Sequence, residues 1–237
     1  MNLIKAEYKK TLTEAVSYYP DYIVGLLTDL LLLFIVIQTD GDRSEKVFGY
    51  ILWILVSGVL SEASMCISTE KQLGTLQNLM IKPCSIAQIV TVKTLVWFTI
   101  NFCKALITAV IASFFLDIDN LFRFEYLYII VLVCMGIMGF SYILSAMTLM
   151  FTKVASFVNI ISYAFLFLSG SIVEVPDFLV HTNPLSYGVR YTSLVMQNKV
   201  SAANFLTLVL ICAGWLLCGI FIFKITFQNS KQFKWTY

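Results

Sequence analysis

Residues 126–151 read YLYIIVLVCMGIMGFSYILSAMTLMF, twenty-six consecutive positions without a charged side chain. At ~1.5 Å rise per residue, roughly 20 apolar residues in a helix cross the ~30 Å hydrocarbon core of a bilayer, so this run is long enough to span one. Its apolar character is continuous. The strands of a membrane barrel, about ten residues each, would alternate in polarity, so the helical reading is favoured. Five further apolar runs follow the same pattern, at 20–38, 47–68, 87–116, 154–171 and 203–227. The run at 154–171 is short; the one at 87–116 is long and is expected to project beyond the bilayer or tilt within it. The chain is 59% hydrophobic and 13% charged, with mean hydropathy +0.85, which excludes an ordinary soluble domain. The expectation is an all-α integral membrane protein of six transmembrane helices in a single domain, 1–237.

Six crossings place both termini on one side, and basic residues say which. Lys5, Lys9, Lys10, Lys71, Lys82, Lys153, Lys224, Lys231 and Lys234 fall on the terminal side, against Arg43, Lys46, Arg123, Arg190 and Lys199 on the other, nine against five. Cytoplasmic termini in a plasma membrane, bacterial in character, are expected. No small-residue cleavage pattern precedes the first span, so no signal peptide is expected to be removed. The six cysteines show no C-x-x-C spacing and give no reason to expect disulfides or zinc.

In residues 1–19 the apolar positions Ile4, Tyr8, Leu12, Ala15 and Tyr19 recur at helical spacing, with Lys5, Lys9, Lys10, Thr13 and Glu14 on the remaining arc. This pattern predicts an amphipathic helix on the inner membrane surface or against a partner, turned into the first span at Pro20. Residues 172–202 hold Pro176, Asn183-Pro184 and the apolar run Val173 to Val180. Too polar to cross and too apolar to be free in water, they are expected to form short re-entrant helices on the outer side.

The connection between the second and third spans reads Glu70-Lys-Gln-Leu-Gly-Thr-Leu-Gln-Asn-Leu-Met-Ile-Lys-Pro-Cys-Ser85. Thr69 and Gln72 have capping-box spacing, Glu70 suits a helix N-terminus and Lys82 its C-terminus, and Pro83 stops it before Ser85 and Gln88 repeat the capping pattern. A short surface helix over 69–85 is predicted, with Leu73, Leu76, Leu79 and Met80 apolar. Gly74 lies inside it, a placement that costs up to about 1 kcal/mol relative to Ala and so needs a reason, such as close packing on a partner. Such a helix either lies on lipid or fits a groove of a cytosolic partner.

At Glu70, Gly74, Thr75, Leu76, Leu79, Pro83 and Ser85, with Lys93 opening the third span, the chain resembles the permease subunits of type-2 ABC transporters. Gln77 departs from the acid usual there, which weakens one potential salt bridge to a partner. The resemblance extends to Ser169-Gly170, Val175-Pro176, Asn183-Pro184-Leu185 and Tyr187 and covers essentially the whole chain. It implies a half-transporter: two permease subunits, identical or related, face each other, and each rests on a separate cytosolic ATP-binding subunit. The coupling helix, with Met80 also on it, conveys closure of the ATPase pair to the spans. This chain has no Gly-x-x-x-x-Gly-Lys-Ser/Thr, so ATP and its Mg are expected in the partner and no catalytic residue here. The direction implied is export.

Asp29, Glu62 and Lys104 lie inside predicted spans, where an isolated charge costs on the order of 3 kcal/mol, so each needs a partner or a wet cavity. Lys104 has two candidate partners, Asp29 and Glu62. Thr94, Trp97, Asn101, Lys104 and Thr108 form one polar stripe; Ser141, Ser145, Thr148 and Thr152 form another. Such stripes serve either as interhelical packing or as a pathway, and packing is the commoner use. His181, the single histidine, reads as a surface or turn residue. An ion-coupled transporter or channel is the alternative reading, though neither inverted repeats nor broken helices are visible. A membrane enzyme lacks its motifs, there being no H-E-x-x-H and no Gly-x-Ser-x-Gly. An apolar lining is compatible with an amphipathic antimicrobial peptide, a hydrophobic drug or a lipid-like cargo, and favours the peptide or the drug; nucleic acid is not expected as a partner.

Overall fold

A computed structural model describes residues 2–39, 42–74, 86–116, 122–151 and 155–230. Among them every regular element is an α-helix: α1 Asn2–Ser17, α2 Tyr19–Ile37, α3 Arg43–Gln72, α4 Ile86–Leu116, α5 Glu125–Met150, α6 Ala155–Leu168, α7 Asp177–Val180, α8 Pro184–Met196 and α9 Ala202–Ser230. Five are long and apolar enough to cross a membrane: α2, α3, α4, α5 and α9. The sixth apolar helix, α6, has 14 residues, about 21 Å at ~1.5 Å per residue, shorter than a ~30 Å core.

The centre of the bundle is α3, against which α2, α4, α5, α6 and α8 pack. Its residues Val47, Leu52, Leu55, Val56 and Leu60 are fully enclosed in the main apolar cluster. Asp42 starts it by accepting a hydrogen bond from Ser44 N at 3.0 Å, with Glu45 in the first turn and Lys71 in the last, each charge matched to the helix dipole. Trp53 Nε1 donates to Ser162 O at 2.7 Å, tying α3 to α6, and Tyr50 OH donates to Asp29 O at 2.7 Å, tying α3 to α2.

The closest pairing is α5 with α9. A Cβ on Gly139 would overlap the Trp215 carbonyl, and one on Gly219 would overlap the Gly139 carbonyl. The two backbones therefore touch directly, as small residues permit where side-chain burial cannot drive helices together. Phe140 stacks on Trp215 beside this crossing, ring centroids 4.0 Å apart.

The segment 172–202 contains α7 and α8. Pro184 occupies the first turn of α8, and Asn183 Oδ1 accepts from Leu185 N at 2.9 Å, satisfying one of the helix's unpaired N-terminal donors. Buried Leu185, Tyr187, Val189 and Tyr191 insert α8 among α3, α5 and α9.

Two sequence expectations are corrected. The helix that carries the second apolar run continues past 68, to Gln72. Thr69 Oγ1 donates back to Met65 O at 2.8 Å and Gln72 Nε2 to Ser68 Oγ at 3.3 Å, so these residues extend α3 rather than capping a new helix. Gly74 is not inside a helix: at φ +69° it forms the left-handed turn that ends α3, with its N–H on Lys71 O at 3.2 Å. At 30 and 31 residues, both α3 and α4 reach about 45 Å, so both exceed a ~30 Å core.

Candidate functional site

The link between α3 and α4 emerges from a small apolar cluster of its own. Ile67 at the end of α3, Ile89 and Val90 at the start of α4, Tyr142, Ala146 and Leu149 near the end of α5, and Phe223 of α9 pack together, separate from the main core. Polar contacts reinforce the joint. Lys71 Nζ donates to Leu149 O at 3.1 Å, capping a carbonyl in the last turn of α5 that no intrahelical donor can reach. Thr91 and Tyr142 join their hydroxyls at 2.6 Å, fastening α4 to α5. Both ends of the link are therefore anchored on α5, and through it on α9. Glu70 lies in the last turn of α3 and Gly74 just beyond it. Thr75, Leu76, Leu79, Met80 and Pro83, with the remainder of the predicted 69–85 helix, fall outside the described residues.

A second constellation lies between α2, α3 and α4. Lys104 Nζ stands 2.6 Å from Asp29 Oδ2, with side chains 26% and 14% exposed. To reach it the ammonium passes over Gly25, where a Cβ would come within 3.3 Å of Nζ. Asn101 is buried one turn before Lys104, its Nδ2 donating to Trp97 O at 2.9 Å. Its side chain fills the space that a Cβ on Gly58 would take, which brings α3 and α4 into close approach. Glu62 is not the partner of Lys104. It sits nearer the link, within electrostatic reach of Lys93 and Glu14, and Lys93 Nζ lies 4.0 Å from Glu7 Oε1 of α1. Tyr8 OH also meets Thr99 Oγ1 at 2.5 Å, so one face of α1 rests on α4. Ile4, Leu12, Val16 and Tyr19 remain exposed around it.

The stripes divide along these lines. Thr94, Thr108, Ser141, Ser145 and Thr148 are buried between helices. Thr94 and Thr108 donate to Val90 O and Lys104 O, and Ser141 and Thr148 to Ile137 O and Ser145 O. Those positions serve packing; Thr152 lies outside the described residues. Trp97, Asn101 and Lys104 instead face a cavity of about 450 Å³.

At the opposite end of the bundle Pro176 precedes α7, its carbonyl accepting from Leu179 N at 2.9 Å. Asp177 pairs with Arg190, joining α7 to α8. His181 is exposed at the end of α7, its ring centroid 5.3 Å from that of Tyr187. Trp215 Nε1 donates to Thr182 O at 2.6 Å, so α9 holds this segment directly.

The glycine contacts escaped sequence reading. Gly25, Gly58, Gly139 and Gly219 have no distinguishing neighbours in the chain, and only the crossing of two helices gives them meaning. Lys71 carried a signal, a cation in a helix's last turn, but its acceptor belongs to another helix.

The family model described as ABC-2 type transporter matches residues 1–196. No curated protein matches the chain.

Proposed function

Because the chain belongs to the ABC-2 type transporter family, of which it is a membrane permease subunit, we propose that it forms half of an ATP-driven exporter. In this reading two permease subunits face each other and each rests on a separate ATP-binding subunit that supplies the nucleotide, the Mg and all the catalysis. The termini and the α3–α4 link face the cytoplasm of a bacterial cell, α6 makes a short sixth crossing, and α7–α8 lie at the outer side.

The observation that carries the proposal is the shared anchorage of the link. A force applied to 73–85 meets the ends of α3 and α4, both fixed to α5 through Lys71–Leu149 and Thr91–Tyr142. From α5 it passes to α9 across the Gly139–Gly219 contact, and from α9 to the outer segment through Trp215–Thr182. ATPase closure is thereby converted into movement at the far side without any nucleotide chemistry in this chain. An amphipathic peptide, a hydrophobic drug or a lipid-like molecule is the cargo class that an apolar bundle accepts.

The test is co-expression with the ATP-binding subunit and reconstitution into vesicles. Wild type is expected to co-purify with that subunit and to show ATP hydrolysis stimulated by apolar cargo. Leu76→Asp with Leu79→Asp is expected to lose both while remaining folded. Retention of recruitment and stimulation by that variant overturns the coupling role.

A further inference from the structure

The 450 Å³ cavity has a composition that packing does not require. It is lined on α2 by Asp21, Tyr22 and Gly25 with Tyr18 just ahead of the helix, on α4 by Trp97, Ile100, Asn101 and Lys104, and on α1 by Glu14. The positions 18, 21, 22 and 25 step by three and four, as do 97, 100, 101 and 104, so each set forms one helix face over about 10 Å. The two helices run the same way. Tyr18 and Trp97 accordingly mark the mouth, near the α1–α2 junction, and Gly25 and Lys104 the floor.

The two ends differ in charge. At the floor the Lys104 ammonium is held by Asp29 at 2.6 Å. The mouth has two carboxylates: Glu14 keeps a loose contact with Lys10 at 3.8 Å, both half-exposed, and Asp21 makes no ion pair among the described residues. Three aromatic side chains, Tyr18, Tyr22 and Trp97, line the same cavity. Carboxylates interleaved with Tyr and Trp faces attract a positive charge of low hydration, by direct Coulomb attraction and by the ring quadrupoles. Beside Asp21 on α2, the helical repeat places Val24, Leu31 and Ile35 along one flank, and they are 61%, 66% and 63% exposed. A chain attached to a cation at the mouth would lie against that apolar strip.

We propose that this cavity binds the alkylammonium end of a cationic amphiphile, with the ammonium between Glu14 and Asp21, against Tyr18, Tyr22 and Trp97, and the hydrocarbon along Val24, Leu31 and Ile35. Lys104 prevents the cation from going deeper, which fixes the head group at the mouth. The chemistry is shared by a free amphiphile and by a lipid with an ammonium head group.

Binding is measured on the purified chain in dodecyl maltoside, a neutral detergent without nitrogen, by titrating dodecyltrimethylammonium in a calorimeter and subtracting protein-free micelles. It needs neither ATP nor a partner, so its failure would leave the exporter reading standing. Saturable binding is expected. It should weaken about tenfold in Glu14→Gln with Asp21→Asn and about two- to fivefold in Trp97→Ala, and stay unchanged in Asp177→Asn at the far end. Thermal melting shows that each variant is folded. If added phosphatidylethanolamine or phosphatidylcholine displaces the probe, the site stands and its occupant is a lipid head group; if neither does, it stands as a site for free amphiphiles. No saturable heat, unchanged affinity in the double carboxylate variant, or equal competition by dodecyl sulfate overturns the proposal, leaving the rings and acids as interfacial anchors.

Discussion

The Asp29–Lys104 pair permits a quantitative test of what holds α2 to the bundle. At 2.6 Å the attraction of two unit charges is about 1.6 kcal/mol in water and about 6 kcal/mol at an effective dielectric of ~20. The side chains are 14% and 26% exposed and adjoin an open cavity, so the effective coupling lies toward the lower figure, about 2–3 kcal/mol. Removing one partner leaves the other charge half-desolvated: Lys104→Met alone, or Asp29→Asn alone, should cost about 2 kcal/mol, or roughly 4–8 °C in melting temperature for a chain of this size. Removing both charges should recover most of that loss, because no uncompensated charge remains. A double-mutant cycle on thermal unfolding in detergent reads the coupling directly. If the single losses simply add, within about 0.5 kcal/mol, the two charges do not act as a pair and the account of the α2–α4 seam is wrong. A transport defect confined to cargo selectivity, with melting unchanged in Lys104→Met, would count against it equally.

Gly219→Val drives a side chain into the Gly139 carbonyl and is expected to abolish monodisperse protein on size exclusion; an unchanged elution and melt would refute the backbone contact. Gly74→Ala forces a left-handed residue to carry a Cβ at φ +69°, which costs about 1 kcal/mol. Melting should shift by only ~2–4 °C, while cargo-stimulated ATP hydrolysis in the reconstituted complex falls. Asn183→Ala removes the cap on Leu185 N and should cost about 1 kcal/mol, with amide exchange rising first in the initial turn of α8.

Much of this bundle is legible from apolar run length, because a helix in lipid must satisfy its own backbone and cross a fixed thickness. The ion pair is half legible. Spacing shows that Lys104 needs an anion but cannot choose between Asp29 and Glu62, since that choice depends on which helix lies beside α4. The start of the link is ambiguous in sequence. Thr69 and Gln72 carry the residue types of a helix cap, yet the hydroxyl bonds back to Met65 O, as a threonine does equally well when the helix simply continues. Helix–helix contacts were least legible: a glycine at 139 or 219 looks the same in sequence whether it meets lipid or another main chain.

The Gly139–Gly219 crossing sets which parts of the bundle give way. Side chains accommodate sliding by changing rotamer, but two main chains in direct contact have no such slack. In the proposed cycle the 26-residue α5, about 39 Å long, is therefore expected to move with α9 as one strut and to carry a stroke from its Leu149 end toward Thr182. In that cycle the deformation is expected to fall on α2, which meets its neighbours through a few side chains, and to show itself as tilting of that helix past the α5–α9 pair.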